Sequence, residues 1–131
     1  MFLDDNEDLR ELMPVVLNST LEVDCVCFGT LRELQNHSED VLLAQIAILD
    51  INLGPGLPSG MDAFNWLMAH GFRGKILFLT GHARTNPQVA QAEKSGAMVL
   101  EKPLHPDQLI SCVRSALKGL HDREGSTGCK R

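Results

Sequence analysis

The run Ile46-Ala47-Ile48-Leu49 carries no polar side chain and stops at Asp50. A strand apolar on both faces has to be covered on both faces, the situation of a central strand in a parallel sheet. Three other short runs end the same way. Met1-Phe2-Leu3 ends at Asp4-Asp5, Lys75-Ile76-Leu77-Phe78-Leu79 at Thr80, and Ala97-Met98-Val99-Leu100 at Glu101-Lys102. Ligands of open parallel sheets bind outside the carboxyl ends of the strands, so tips spread along the chain can meet at one crevice.

Between these runs the spacing turns helical. Glu7 to Leu17 presents Leu9, Leu12, Met13, Val16 and Leu17, with Asn6 as cap and a kink expected at the interior Pro14. Glu22 to Phe28 reads as a further strand, Thr30 to Asn36 as a short helix, and Ser38 to Asp40 as another turn. Helices follow over Met61 to Ala69, Pro87 to Ser95 and Pro106 to Leu120. Strand and helix alternate five times, and right-handed crossovers wrap such a chain into a doubly wound α/β fold. A five-stranded parallel sheet in the flavodoxin-like order 2-1-3-4-5 is expected, with helices on both faces. That order makes strands one and three neighbours at the switch point, where Asp4, Asp5 and Asp50 converge. The domain is expected over residues 1–120, with 121–131 a flexible tail.

The 131 residues suit one domain and leave no room for a second, effector domain. Net charge is -5, and lysines and arginines are scattered without a basic stripe, which argues against direct nucleic-acid binding. No apolar stretch approaches a membrane span, and acids stand where a signal peptide needs bases, so a cytoplasmic protein is expected. The four cysteines show neither CxxC spacing nor scaffold density, so reduced thiols are expected. Cys25 and Cys27, two apart on a strand, would share a face, and small buried apolar residues are favoured there over a metal site.

Three carboxylates at one crevice repel one another unless a cation neutralises them, and oxygen ligands favour Mg²⁺ over zinc or copper. Lys102 adds a fixed positive charge and Thr80 a hydroxyl. With a metal, these groups can surround the oxygens of a phosphoryl group, and Asp50 is then a candidate nucleophile. Gly54, Gly56 and Gly60 spell neither GxGxxG nor a P-loop, and no HExxH or Cys/His zinc spacing occurs.

Asp4-Asp5-Asn6-Glu7, Leu49-Asp50-Ile51-Asn52, Leu79-Thr80-Gly81-His82-Ala83 and Glu101-Lys102-Pro103, with 30 positions from Asp50 to Thr80 and 22 from Thr80 to Lys102, resemble the receiver domain of response regulators in two-component phosphorelays. The resemblance covers about residues 1–120. It implies that Asp50 is the phosphoacceptor, that Asp5, Asp50 and the backbone carbonyl of Asn52 bind Mg²⁺ (or Mn²⁺), and that Asp4 supports the metal through water. Thr80 and Lys102 would contact the phosphoryl group, with the lysine aimed by a cis Lys102-Pro103 peptide. It further implies a histidine kinase or histidine phosphotransfer protein as donor and a downstream protein partner. The readout face would be built from the helix after Pro87, the Ala97–Leu100 strand and the helix after Pro106, a face that could also serve a homodimer. Such a domain is no enzyme toward outside substrates.

Departures from the family pattern are visible. Val99 stands where a Tyr or Phe usually swaps rotamer with the Thr80 position, so switching coupled to an aromatic ring is in question. The Leu53–Gly60 loop is longer than usual, and the first strand is shorter. Asn52 and His82 flank the path of an attacking water. A phosphohydrolase that uses an aspartyl phosphate is the enzyme-class alternative; it needs a second acid where Asn52 stands. A receiver acting only as an interaction module is the other alternative, and the intact Asp5, Asp50, Thr80 and Lys102 set argues against it.

Overall fold

The computed structural model describes residues 1–51, 59–81, 87–102 and 105–126. Its elements, in order, are β1 (Phe2–Leu3), α1 (Glu7–Leu21), β2 (Cys27–Phe28), α2 (Leu31–Asn36), α3 (Ser38–Leu42), β3 (Ile46–Asp50), α4 (Gly60–Ala69), β4 (Lys75–Thr80), α5 (Pro87–Lys94), β5 (Met98–Glu101) and α6 (Pro106–Ser126). The five strands form one parallel sheet in the order β2-β1-β3-β4-β5, as the alternation of runs and helices predicts. β3, at the centre, is buried along its whole length.

Side-chain alternation along the strands divides the core in two. Phe2, Ile46, Ile48, Leu77, Leu79 and Leu100 point to one face, where Met13 and Leu17 of α1 and Leu109 and Val113 of α6 cover them. Leu3, Ala47, Leu49 and Phe78 point to the other, under Leu31 and Leu34 of α2, Val41 of α3, Met61, Ala63 and Leu67 of α4, and Ala92 of α5. A central strand apolar at every position is what a sheet covered on both sides requires.

The helix starts are chemically marked. Asn6 Oδ1 accepts from the Leu9 N–H at 3.0 Å, and Thr30 Oγ1 from Glu33 at 3.2 Å. Ser59 and Asp62 close a capping box on α4, with the Ser59 N–H donating to Asp62 Oδ2 at 2.7 Å.

Several boundaries differ from the sequence reading. α1 runs through Pro14 to Leu21, past the expected end at Leu17, because Leu21 lies one turn beyond Leu17 and packs on the same core. Glu22 then ends the helix in the left-handed conformation (φ 55°), its N–H bonded to the Asn18 carbonyl, so the strand expected over Glu22–Phe28 shrinks to Cys27–Phe28. Ser38 to Leu42 forms a short helix rather than a turn. At the other end, α6 continues to Ser126, six residues past the expected Leu120. Among the described residues no helix is long and apolar enough to cross a membrane.

Candidate functional site

β1 delivers Asp4 to the carboxyl edge of the sheet, where its N–H bonds to the Phe28 carbonyl at 3.1 Å. Its side chain is fully buried. Oδ1 accepts from the Asn6 N–H at 2.9 Å, and the Asp4 carbonyl accepts from Arg10 Nη1 at 3.0 Å. The acidic turn is thus fixed from two sides, by its own next residues and by a guanidinium one turn into α1. Asp5, beside it, is exposed.

Asp50 closes β3 next to β1, as the sheet order requires, and is 3% exposed. The chain leaves it under control: Ile51 N–H donates to the Leu79 carbonyl and Gly60 N–H to the Ile51 carbonyl, both at 2.9 Å. α4 therefore starts hard against the strand end. A Cβ at Gly60 would overlap the Asp50 carbonyl, so the approach is open to glycine alone.

Thr80 ends β4 one residue beyond Leu79, the register partner of Asp50, and is buried. Lys102 N–H donates to the Thr80 carbonyl at 2.8 Å, which ties the end of β5 to the end of β4. Lys102 Nζ then lies 3.2 Å from Asp50 Oδ2 and 2.9 Å from Asp4 Oδ2. One ammonium thereby bridges two strand tips that are 46 positions apart in the chain. Burial works against that ammonium, but the contact with Asp4 and the charges of Asp50 and Asp4 outweigh it and raise the Lys102 pKa.

One lysine does not balance this corner. Carboxylate oxygens of Asp4, Asp5 and Asp50 all lie within 4.8 Å of one another, three carboxylates against one ammonium in contact with two of them. The Lys102 contact to Asp4 Oδ2 is close but not aligned as a hydrogen bond, and that buried oxygen has no hydrogen-bond partner among the described residues. An acceptor-only oxygen left short inside an all-oxygen donor set is what a hard divalent cation would complete. The residues present fit Mg²⁺.

The structure brings together four of the residues read from the sequence, Asp4, Asp50, Thr80 and Lys102, with Asp5 at the rim. Asn52, His82 and Pro103, and most of the Leu53–Gly60 loop, lie outside the described residues. Val99 is half-buried, in register with Phe78, and so shares the sheet face of Thr80 one pleat back. Two contributors went unread. Gly60 sits in a stretch rich in glycine and proline, where its close approach to Asp50 is a tertiary fact. Arg10 looks like an ordinary helix cation, and only the fold turns it back to the Asp4 carbonyl.

Residues 1–114 match the profile of the response regulator receiver domain. The chain is 36% identical to Nodulation protein W of Bradyrhizobium diazoefficiens over 115 residues (86% of this chain, 48% of that protein). It is 30% identical to the Response regulator protein TodT of Pseudomonas putida over 116 residues, 88% of this chain and 48% of TodT. It spans about half the length of these curated relatives. A CheY-like response regulator receiver domain protein from Methanospirillum hungatei JF-1 shares the fold, with a TM-score of 0.80 at 18% identity over 93% of this chain and 94% of that one. The sheet order, the acidic corner bridged by a lysine and the matched profile agree: the chain belongs to the response regulator receiver domain family, the phosphoacceptor domains of two-component signalling.

Proposed function

We propose that Asp50 is the residue that takes the phosphoryl group. The observation that carries this reading is the Lys102 ammonium held 3.2 Å from a nearly buried Asp50 carboxylate at the end of the central strand. An Asp50 oxygen forms the new bond to phosphorus while the bond from phosphorus to the donor's imidazole nitrogen breaks, and the imidazole keeps that electron pair. Lys102 is in place to offset charge on the transferred oxygens, and Thr80, on the neighbouring strand end, supplies a hydroxyl beside them. Asp5, Asp50 and the Asn52 carbonyl would hold Mg²⁺ (or Mn²⁺), with Asp4 acting through water. Bound there, the metal supplies charge neutralisation for the carboxylates and the incoming phosphoryl oxygens.

The donor is a histidine kinase or a histidine phosphotransfer protein, and the output is altered binding to a downstream protein in the cytoplasm. The chain turns over no outside substrate: Asn52 stands where a phosphohydrolase would place its general acid. Half-buried Val99 offers no ring to swing, which supports a coupling of Thr80 to the readout face other than an aromatic swap.

Intact mass after incubation with acetyl phosphate and Mg²⁺ tests the reading. One phosphoryl adduct is expected on the native chain, and none on Asp50→Asn or after chelation of the metal. Partner binding without any adduct would establish the interaction-module alternative instead.

A further inference from the structure

Cys25 and Cys27 stand on the edge strand β2 and in the segment that leads into it. Cys27 is in register with Phe2 of β1, and Cys25 precedes it by two residues, toward the amino ends of the strands. Their sulfurs are 4.0 Å apart. Both pack against the core under α1 and α6, yet both remain half-exposed, contrary to the buried apolar pair expected from sequence. Cys25 also lines a cavity of about 120 Å³ with Leu17, Val23 and Ile46.

The separation speaks against a disulfide and leaves room for a shared proton or a shared metal ion. A disulfide holds its sulfurs only about 2.05 Å apart, so at this separation the two are not bonded to each other. Sulfurs bound to one metal ion at about 2.3 Å each lie between about 3.8 Å, at the tetrahedral angle, and about 4.6 Å, when collinear. The observed 4.0 Å falls inside that interval.

We propose that Cys25 and Cys27 form a two-sulfur site for a soft monovalent cation, Cu(I). Thiolates select soft ions, and a structural zinc site would need four ligands. Among the described residues, Asp4, Asp5 and Asp50 make the only cluster of three or more acids, imidazoles or thiols, so no such group joins the two cysteines. The neighbouring Asp24 is exposed, and its carboxylate accepts from Asn18 Nδ2 at 3.4 Å. A d¹⁰ monovalent ion is satisfied by two soft donors. Proton supply suits it as well: the hydrogen bond from Cys27 holds the Cys25 pKa down at about 7 against the burial of Cys25, while the same bond, then burial, pushes Cys27 up. Cu(I) enters without a change of oxidation state. Two S–Cu bonds form, and the shared proton, with any remaining on Cys25, passes to solvent.

The test is anaerobic titration of the metal-free chain with Cu(I) held by bicinchoninate, following loss of the chelator's colour and the ultraviolet thiolate-to-copper absorption. One equivalent is expected to transfer to the native chain. Cys25→Ser and Cys27→Ser should each weaken the transfer by more than about tenfold. A Cys112→Ser, Cys129→Ser chain should match the native one. No transfer to the native chain overturns the site without recourse to any variant, and so does undiminished transfer to a Cys25→Ser, Cys27→Ser chain. Zinc retained as firmly as copper against a chelator overturns the choice of ion. Thermal melts of the serine variants separate a lost site from a lost fold.

Discussion

The acidic corner and the thiol pair lie on different strands, the acids at or past the ends of β1 and β3 and the thiols on and just before β2, and they treat burial in opposite ways. Asp4 and Asp50 are ionisable groups that are costly to bury, and everything around them is compensation: Lys102, the Asn6 N–H, and a geometry that leaves one oxygen for a cation. Cys25 and Cys27 need no such company, because a thiol buries as a small apolar group. The acids therefore announce themselves through the residues they require, whereas thiols become a site only through their mutual distance. Charge makes a site legible at long range in sequence; softness does not.

The largest break in that comparison is Asp50→Asn, which keeps size and shape and removes the nucleophile. Phosphoryl uptake from acetyl phosphate should fall below detection by intact mass, while copper transfer at the cysteines stays as in the native chain. Loss of both together would mean that the two sites are not independent.

Lys102→Met comes next. Removing one partner of a buried ion pair costs about 3–5 kcal/mol, and because the lysine is a quarter exposed we expect the lower end or less, about 2–3 kcal/mol, in urea unfolding without Mg²⁺. Mg²⁺ should restore part of the loss by neutralising the stranded carboxylates. The raised Lys102 pKa fixes the pH dependence. Its contribution is complete below the ordinary lysine value of 10.5 and is lost as pH rises through the higher folded value. As far as Lys102 is concerned, the gap between native and variant stability should stay level through neutral pH and close only above about 10.5. A gap that already closes between pH 6 and 8, roughly the range in which histidine titrates, would assign the effect to another group.

Gly60→Ala sharpens the geometric half of the argument. The new methyl would meet the Asp50 carbonyl, and overpacking of this kind costs about 1–3 kcal/mol. Because the strain falls on the backbone of the acceptor residue, phosphoryl uptake should slow as well. Destabilisation with an unchanged uptake rate would show that α4 can step back without moving Asp50.

What could be read in advance follows the same division. The sheet order was legible because the apolar runs alternate with helical spacing, and Asp4, Asp50, Thr80 and Lys102 because each ends a run. Helix ends were less so. Leu21 continues the α1 stripe, but Glu22 is a poor advertisement for a left-handed cap, which glycine usually signals, and β2 lost most of its expected length to that misplaced boundary. Gly60 and Arg10 act through contacts made only when distant segments meet. The cysteine spacing promised a shared face; the half-exposure and the 4.0 Å separation came only from the fold.

The smallest effect probes the thiol pair alone. In the native chain Cys25 should be alkylated by iodoacetamide with a rate that rises through a midpoint near pH 7, since the Cys27 hydrogen bond lowers its pKa from an ordinary 9.0 to about 7. Cys27→Ala removes that donor and leaves the burial of Cys25, which favours the neutral thiol and outweighs the charge of the Met1 ammonium, so the midpoint should move up toward 9.0 or beyond. Cys112 is an internal reference in the same mass spectra: burial alone raises its pKa, so it should react slowly at pH 7 in both chains. If the Cys25 midpoint stays near 7 without Cys27, the thiolate is stabilised by something other than its neighbour. The pair would then be two cysteines that happen to lie close rather than one dithiol sharing a proton.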